Sequence, residues 1–194
     1  MIKEGVNMSI SLSYNNVSDY QNFNHLQIVF TNTPSKKLLN KFANALNANG
    51  HLPYTIKLDQ LLHVPYLQIA HTHDGEFIGG CSIKHCDGEL AEVGLMLVDK
   101  KYRRLGLAEY MTQSRISYAQ YLGAKMLYAK VREKNIKSMN NLHKAGFRSA
   151  GNFLSQKDLY STITWLYLPL KPMPHYECCQ RLRKKLVNLV SVIG

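Results

Sequence analysis

Two rhythms of apolar and polar positions alternate along this chain. HLQIVFTN (residues 25–32) reads as a first strand. TPSKKLLNKFANALNANG (33–50) reads as a helix, with Pro34 near its start and Leu38, Phe42, Ala45 and Leu46 on one face. A shorter helix is predicted over IKLDQLL (56–62). YLQIAHTH (66–73) and EFIGGCSIKH (76–85) are strands joined by Asp74-Gly75, a strong hairpin pair. Asp87-Gly88 turns the chain again into ELAEVGLMLV (89–98), so these three strands form an antiparallel meander.

The rhythm then changes. A helix is predicted over 106–122, a buried strand over KMLYAKV (125–131) and a helix over NIKSMNNLHKAG (135–146). FRSAGNFL and STITWLYLPL give two last strands. A helix between the strands ending at Val98 and starting near Lys125 makes a crossover, which requires those two strands to run parallel. The expected architecture is α/β (α+β): a mixed central sheet of about six to seven strands flanked by helices.

Both ends differ from this domain. Residues 1–24 are rich in Asn and Ser without periodicity, and are expected to be poorly ordered. Residues 25–170 form the domain, and Pro169, Pro172 and Pro174 mark its end. The remainder, 171–194, contains a basic amphipathic helix. Leu182, Leu186, Leu189, Val190 and Ile193 share a face, with Arg181, Arg183, Lys184 and Lys185 beside it. Such a helix docks on its own domain or on a dimer mate; a membrane surface or nucleic acid is the alternative.

Charge bears on partners more than on fold. The 194 residues include 24 Lys and Arg against 13 Asp and Glu, a net charge of +11, which favours anionic partners. The four cysteines, at 81, 86, 178 and 179, make neither a C-x-x-C pair nor a disulfide framework. Reduced thiols, with an N-terminal stretch lacking the apolar core of a signal peptide, point to the cytoplasm. His71, His73, Cys81, His85 and Cys86 lack the dense spacing of a metal site, and no metal is expected.

The chemistry concentrates in RRLGLAEYM (103–111). A strand ends, a basic turn follows, and a helix begins at a glycine. Free N–H groups and the positive end of the helix dipole make such a start an anion site. Gly106 can take a positive φ, Ala108 is small, and Lys100, Lys101, Arg103 and Arg104 add positive charge suited to a pyrophosphate.

AEVGLMLVDKKYRRLGLAEYMTQ resembles motif A of the GNAT superfamily of N-acetyltransferases, whose signature Q/R-x-x-G-x-G/A is met by Arg103, Gly106 and Ala108. VREKNIKSMNNLHKAGFRSAG resembles its motif B, and the likeness runs from about residue 26 to 169. It implies the GNAT fold and transfer of an acetyl or short acyl group from acyl-CoA to an amine by direct attack. It implies that the N–H groups of Arg104, Leu105, Gly106, Leu107 and Ala108 hold the pyrophosphate of acetyl-CoA. Met96 and Val98 would hold the pantetheine arm, the Met96 N–H would face the thioester oxygen, and Asn135 would sit beside the cofactor. Glu92 stands where family members place a general base.

One position departs from the family. The motif B tyrosine that serves as general acid is replaced by Leu142, leaving His143, Ser138, Tyr160 or solvent as the proton source. By analogy Tyr54, His63, Phe153 and Tyr160 would line the acceptor pocket. The acceptor itself, a small molecule or a peptide amine, is left open. So is a second reading, in which the chain binds CoA without catalysis and docks nucleic acid or a protein through its basic surface.

Overall fold

The computed structural model describes residues 28–49, 52, 54–154 and 161–191, with side chains described through Lys185. The expectations for residues 1–24, for Tyr160 and for the Leu186, Leu189, Val190 and Ile193 side chains lie outside these residues. In chain order the elements are β1 (Ile28–Thr31), α1 (Lys36–Ala48), α2 (Leu58–Leu62), β2 (Tyr66–Thr72), β3 (Phe77–Cys86) and β4 (Leu90–Val98). A 3-10 turn (Lys100–Tyr102) leads into α3 (Leu107–Tyr121), β5 (Met126–Arg132), α4 (Ile136–Lys144), β6 (Arg148–Leu154), β7 (Thr162–Pro169) and α5 (His175–Ser191).

The strands form one seven-stranded sheet in the order β1-β2-β3-β4-β5-β7-β6. Every neighbouring pair is antiparallel except β4 and β5, as the α3 crossover requires. This is the mixed α/β sheet expected from the sequence.

Three apolar clusters hold the layers. On one face Met111, Leu107 and Ala119 of α3 and Leu142 of α4 pack on Ile78, Ile83, Ala91, Val93 and Leu127. On the other, Leu38, Leu39, Phe42 and Leu46 of α1 and Leu61 of α2 cover Leu67, Ile69, Leu95 and Leu97. The Asn47 side chain ties α1 to the approach of α2, accepting from the Ile56 N–H at 2.8 Å and donating to its carbonyl at 3.0 Å.

The third cluster lies on that second face, where Cys178 and Leu182 of α5 pack with Leu90, Met126, Tyr128, Trp165 and Tyr167. α5 is therefore docked on its own domain. Arg181 pairs with Glu89 and Glu177, and Lys185 with Asp87 at 2.9 Å. Half of the basic cluster of the tail thus meets acidic groups of the same chain.

Candidate active site

The site begins where the sheet opens. β4 and β5 pair only at Leu90–Met126, Ala91–Leu127 and Glu92–Tyr128. Beyond that, β5 stays with β7 as far as Arg132, while β4 runs on to Val98 beside β3. The two strands part and leave a wedge-shaped slot.

A bulge shapes the wall of this slot. Ser82 lies opposite Gly94 and Gly80 opposite Leu97, so β4 carries one residue more than β3 over this step. Leu95 absorbs it at φ 47°, a left-handed conformation costly for a leucine. The facing of the strand changes there. Ala91 and Val93 look toward α3 before the bulge and Met96 and Val98 after it, while Leu95 and Leu97 join the α1 face.

The basic turn closes one end of the slot. Asp99 Oδ1 accepts the Lys101 N–H at 2.9 Å, Tyr102 is buried, and Arg103 Nε donates to the Val98 carbonyl at 3.0 Å. Arg103 thereby pins the turn to the end of β4. Arg104 (φ 67°) and Gly106 (φ 81°) then take left-handed conformations. The first helical bond runs from the Tyr110 N–H to the Gly106 carbonyl at 3.0 Å, and no side chain caps the helix. Among the described residues, no protein acceptor takes up the N–H groups of Arg104, Leu105, Gly106, Leu107 and Ala108. This array of donors fits a pyrophosphate. The predicted start of α3 is right to within one residue.

Asn135 opens α4, where its Oδ1 accepts the Ser138 N–H at 3.3 Å. Leu142 is buried in the core beneath that helix. His143 turns its Nδ1 to the Phe147 carbonyl at 2.9 Å, a contact within its own turn.

Glu92 faces away from α3 and is 7 % exposed. Its Oε1 meets Lys84 Nζ at 3.1 Å; its Oε2 meets Lys130 Nζ at 3.0 Å and the Tyr128 hydroxyl at 2.9 Å. A second bulge, on β3 between Ile83 and His85, brings Lys84 to the carboxylate, and the lysine side chain lies across Gly94. Burial works to raise the Glu92 pKa, but the two lysines outweigh it and hold the carboxyl below its ordinary value. Glu92 is ionised at neutral pH.

Around it, Trp165 stacks on Tyr128 with ring centroids 5.6 Å apart, and Phe153 meets the Trp165 edge at 5.8 Å. The Tyr54 hydroxyl accepts from Lys84 Nζ at 3.4 Å. Tyr54 and Phe153 thus belong to the surroundings of Glu92. His63 turns back on α2, with its Nδ1 2.6 Å from the Asp59 carbonyl.

On the opposite face a polar network joins α3, α4 and β4. Thr112 Oγ1 donates to the Ala108 carbonyl at 2.8 Å and accepts from Asn141 Nδ2 at 2.8 Å and Arg115 Nη2 at 2.9 Å. Arg115 Nη2 also lies 3.3 Å from Met96 Sδ.

Sequence reasoning missed Lys84, Lys130, Tyr128 and this network. Only strand register could bring the first three to Glu92. Arg115 left a readable signal, since it follows Leu107 and Met111 at four-residue steps on the inward face of α3.

The family model for the acetyltransferase (GNAT) family matches residues 32–147. Among solved structures, the chain is similar to yncA of Salmonella typhimurium, solved with its cofactor acetyl-CoA: 16% identity, 76% of this chain and 96% of that one, TM-score 0.61. It is similar to a chain of the NatC complex bound to Gag peptide and CoA, with 18% identity, coverage of 75% and 99%, and TM-score 0.65. It is also similar to spermidine N-acetyltransferase from Vibrio cholerae in complex with CoA and spermine, with 15% identity, coverage of 74% and 96%, and TM-score 0.59. A search of curated proteins finds no match.

Proposed function

The chain belongs to the acetyltransferase (GNAT) family, and from that premise we propose that it is an N-acyltransferase moving an acetyl or short acyl group from acyl-CoA to an amine. The observation that carries this reading is the pairing of an opened β4–β5 slot with an uncapped, left-handed start to α3 at one end of it. An ordinary crossover needs neither.

The N–H groups from Arg104 to Ala108 would hold the pyrophosphate, with Arg103 fixing the turn that presents them. The backbones of Met96 and Val98 would hold the pantetheine arm. Acyl-CoA supplies an activated thioester carbon. The bulge at Leu95 re-aims the backbone that follows, which suits the Met96 N–H to stabilise charge on the thioester oxygen. Asn135 caps α4 and would sit beside the cofactor.

Glu92 is our candidate for receiving the proton of the acceptor amine, directly or through water. Its lowered pKa makes it a ready anion but a weak base. Attraction for an ammonium and ordering of a water suit it better than full deprotonation on its own. The buried Leu142 cannot protonate the CoA thiolate, which leaves Ser138, Tyr160 or solvent for that step. The neighbours include one bound to a peptide and CoA and one in complex with CoA and spermine, and an amine acceptor is proposed here on that basis.

The test is thiol release from acetyl-CoA against a panel of polyamines, N-terminal peptides and aminoglycosides. Turnover with at least one amine, cut about 100-fold or more by Glu92→Gln, supports the reading. Tight acetyl-CoA binding with no thiol released to any amine would favour the non-catalytic, partner-binding reading instead.

A further inference from the structure

Arg115 is a cation that no carboxylate pairs with among the described residues. It is 2 % exposed, on the inward stripe of α3. Its Nη2 is held by Thr112 Oγ1 and Met96 Sδ, and its Nε is buried with no acceptor. The groups that act on it electrostatically are the Cys81 thiol and the Tyr66 phenol. Both are neutral at physiological pH, because burial pushes each proton affinity up, the thiol to about 11. A guanidinium stays charged even when buried.

Several other charges of the chain are held in ion pairs. Glu92 has two lysines, Arg181 two glutamates, and Lys185 Asp87. Among the described residues Arg115 has no ionic partner, although desolvating an arginine is costly unless something anionic compensates.

Its surroundings say where that anion would come from. Thr112 is locked by Ala108 and Asn141, so one side of the guanidinium is fixed. The same Nη2 also meets the Met96 thioether, a weak acceptor on a flexible, half-buried side chain. Met96 belongs to the slot wall, beside the position proposed above for the thioester. A group reaching past that thioester toward the Met96 side chain would approach Arg115, whose Nη2 lies 3.3 Å from the Met96 sulfur.

We infer that the preferred acyl group carries a terminal carboxylate, of malonyl to succinyl length, which displaces the Met96 thioether and pairs with Arg115. This rests on the reading of the slot as an acyl-CoA site. The distal carboxylate takes no part in bond making. The amine nitrogen bonds to the thioester carbon, the carbon–sulfur bond breaks, and the amine loses the proton that the leaving thiolate gains.

The experiment is isothermal titration of the full chain with acyl-CoA pairs of equal length: succinyl-CoA against butyryl-CoA, and malonyl-CoA against propionyl-CoA. At least one carboxylate should bind about tenfold or more tightly than its neutral partner. In Arg115→Met that ratio should fall to near one, and Arg115→Lys should retain part of it. If Arg115→Met does not fold, the wild-type ratios and the lysine variant still decide. Equal or tighter binding of both neutral members, or a preference unchanged in Arg115→Met, would overturn the inference. Acetyl-CoA and free CoA, titrated alongside, separate the two claims. If neither binds, the acyl-CoA site itself is wrong; if they bind without a carboxylate preference, only the inference about Arg115 fails.

Discussion

Helices α1 and α3 start in opposite ways. At α1, Ser35 holds an extended conformation and its Oγ accepts the Leu38 N–H at 3.4 Å. At α3, a left-handed Gly106 precedes the helix and offers no side chain. Both starts face the same problem, since the first N–H groups of any helix lack partners within it. α1 solves it internally and serves the fold. α3 leaves its donors open, between a basic turn and the gap where β4 leaves β5. A helix start that could have been capped and is not, at the mouth of a slot, is where function can be read from structure.

Substitutions at the two starts should separate these roles. The largest effect is expected from Gly106→Glu, which places an anion at the open start; acetyl-CoA affinity should fall at least about 100-fold by titration calorimetry. The left-handed strain added by the side chain costs about 1–2 kcal/mol, which thermal unfolding would report separately.

Next comes Glu92→Gln, with a kcat loss of about 100-fold or more and acetyl-CoA affinity kept. Leaving Lys84 and Lys130 without their carboxylate should also lower stability by about 1–3 kcal/mol in urea unfolding. Ser35→Ala should cost about 1 kcal/mol of stability, shifting Tm by about 2–4 °C, and leave acetyl-CoA binding unchanged.

The smallest effect is on acid stability. Burial works to raise the Asp87 pKa, but the Leu90 and Glu89 N–H groups and Lys185 bring it down to about 2, and Glu92 is also lowered. Carboxyls with depressed folded-state values stabilise the fold above their ordinary pKa and lose that contribution as pH falls through the folded value. Urea midpoints should therefore be flat above about pH 5 and decline toward pH 2. A Lys185→Met variant should decline less steeply.

Much of the fold was legible because its signals are local. Asp74-Gly75 and Asp87-Gly88 announce the meander, and the crossover between Val98 and Met126 forces the parallel pair. Gly106 places the start of α3 to within one residue. The bulge at Leu95 was not legible, because nothing about that leucine favours a positive φ; pairing with β3 imposes it. Glu92 was singled out by the family resemblance, but its two lysines could not be, since one arrives on a bulge of β3 and the other from β5. Arg115 was written at helical spacing among apolar residues, and its unpartnered Nε shows only once the packing is known.

The most direct test of the central claim is titration of the wild-type chain with acetyl-CoA beside Gly106→Glu, with thermal unfolding to confirm that the variant is folded. Saturable binding by the wild type and none by the folded variant is the predicted result. No heat from the wild type well above micromolar concentrations, or equal binding by both proteins, would contradict the claim that the open start of α3 is a pyrophosphate site.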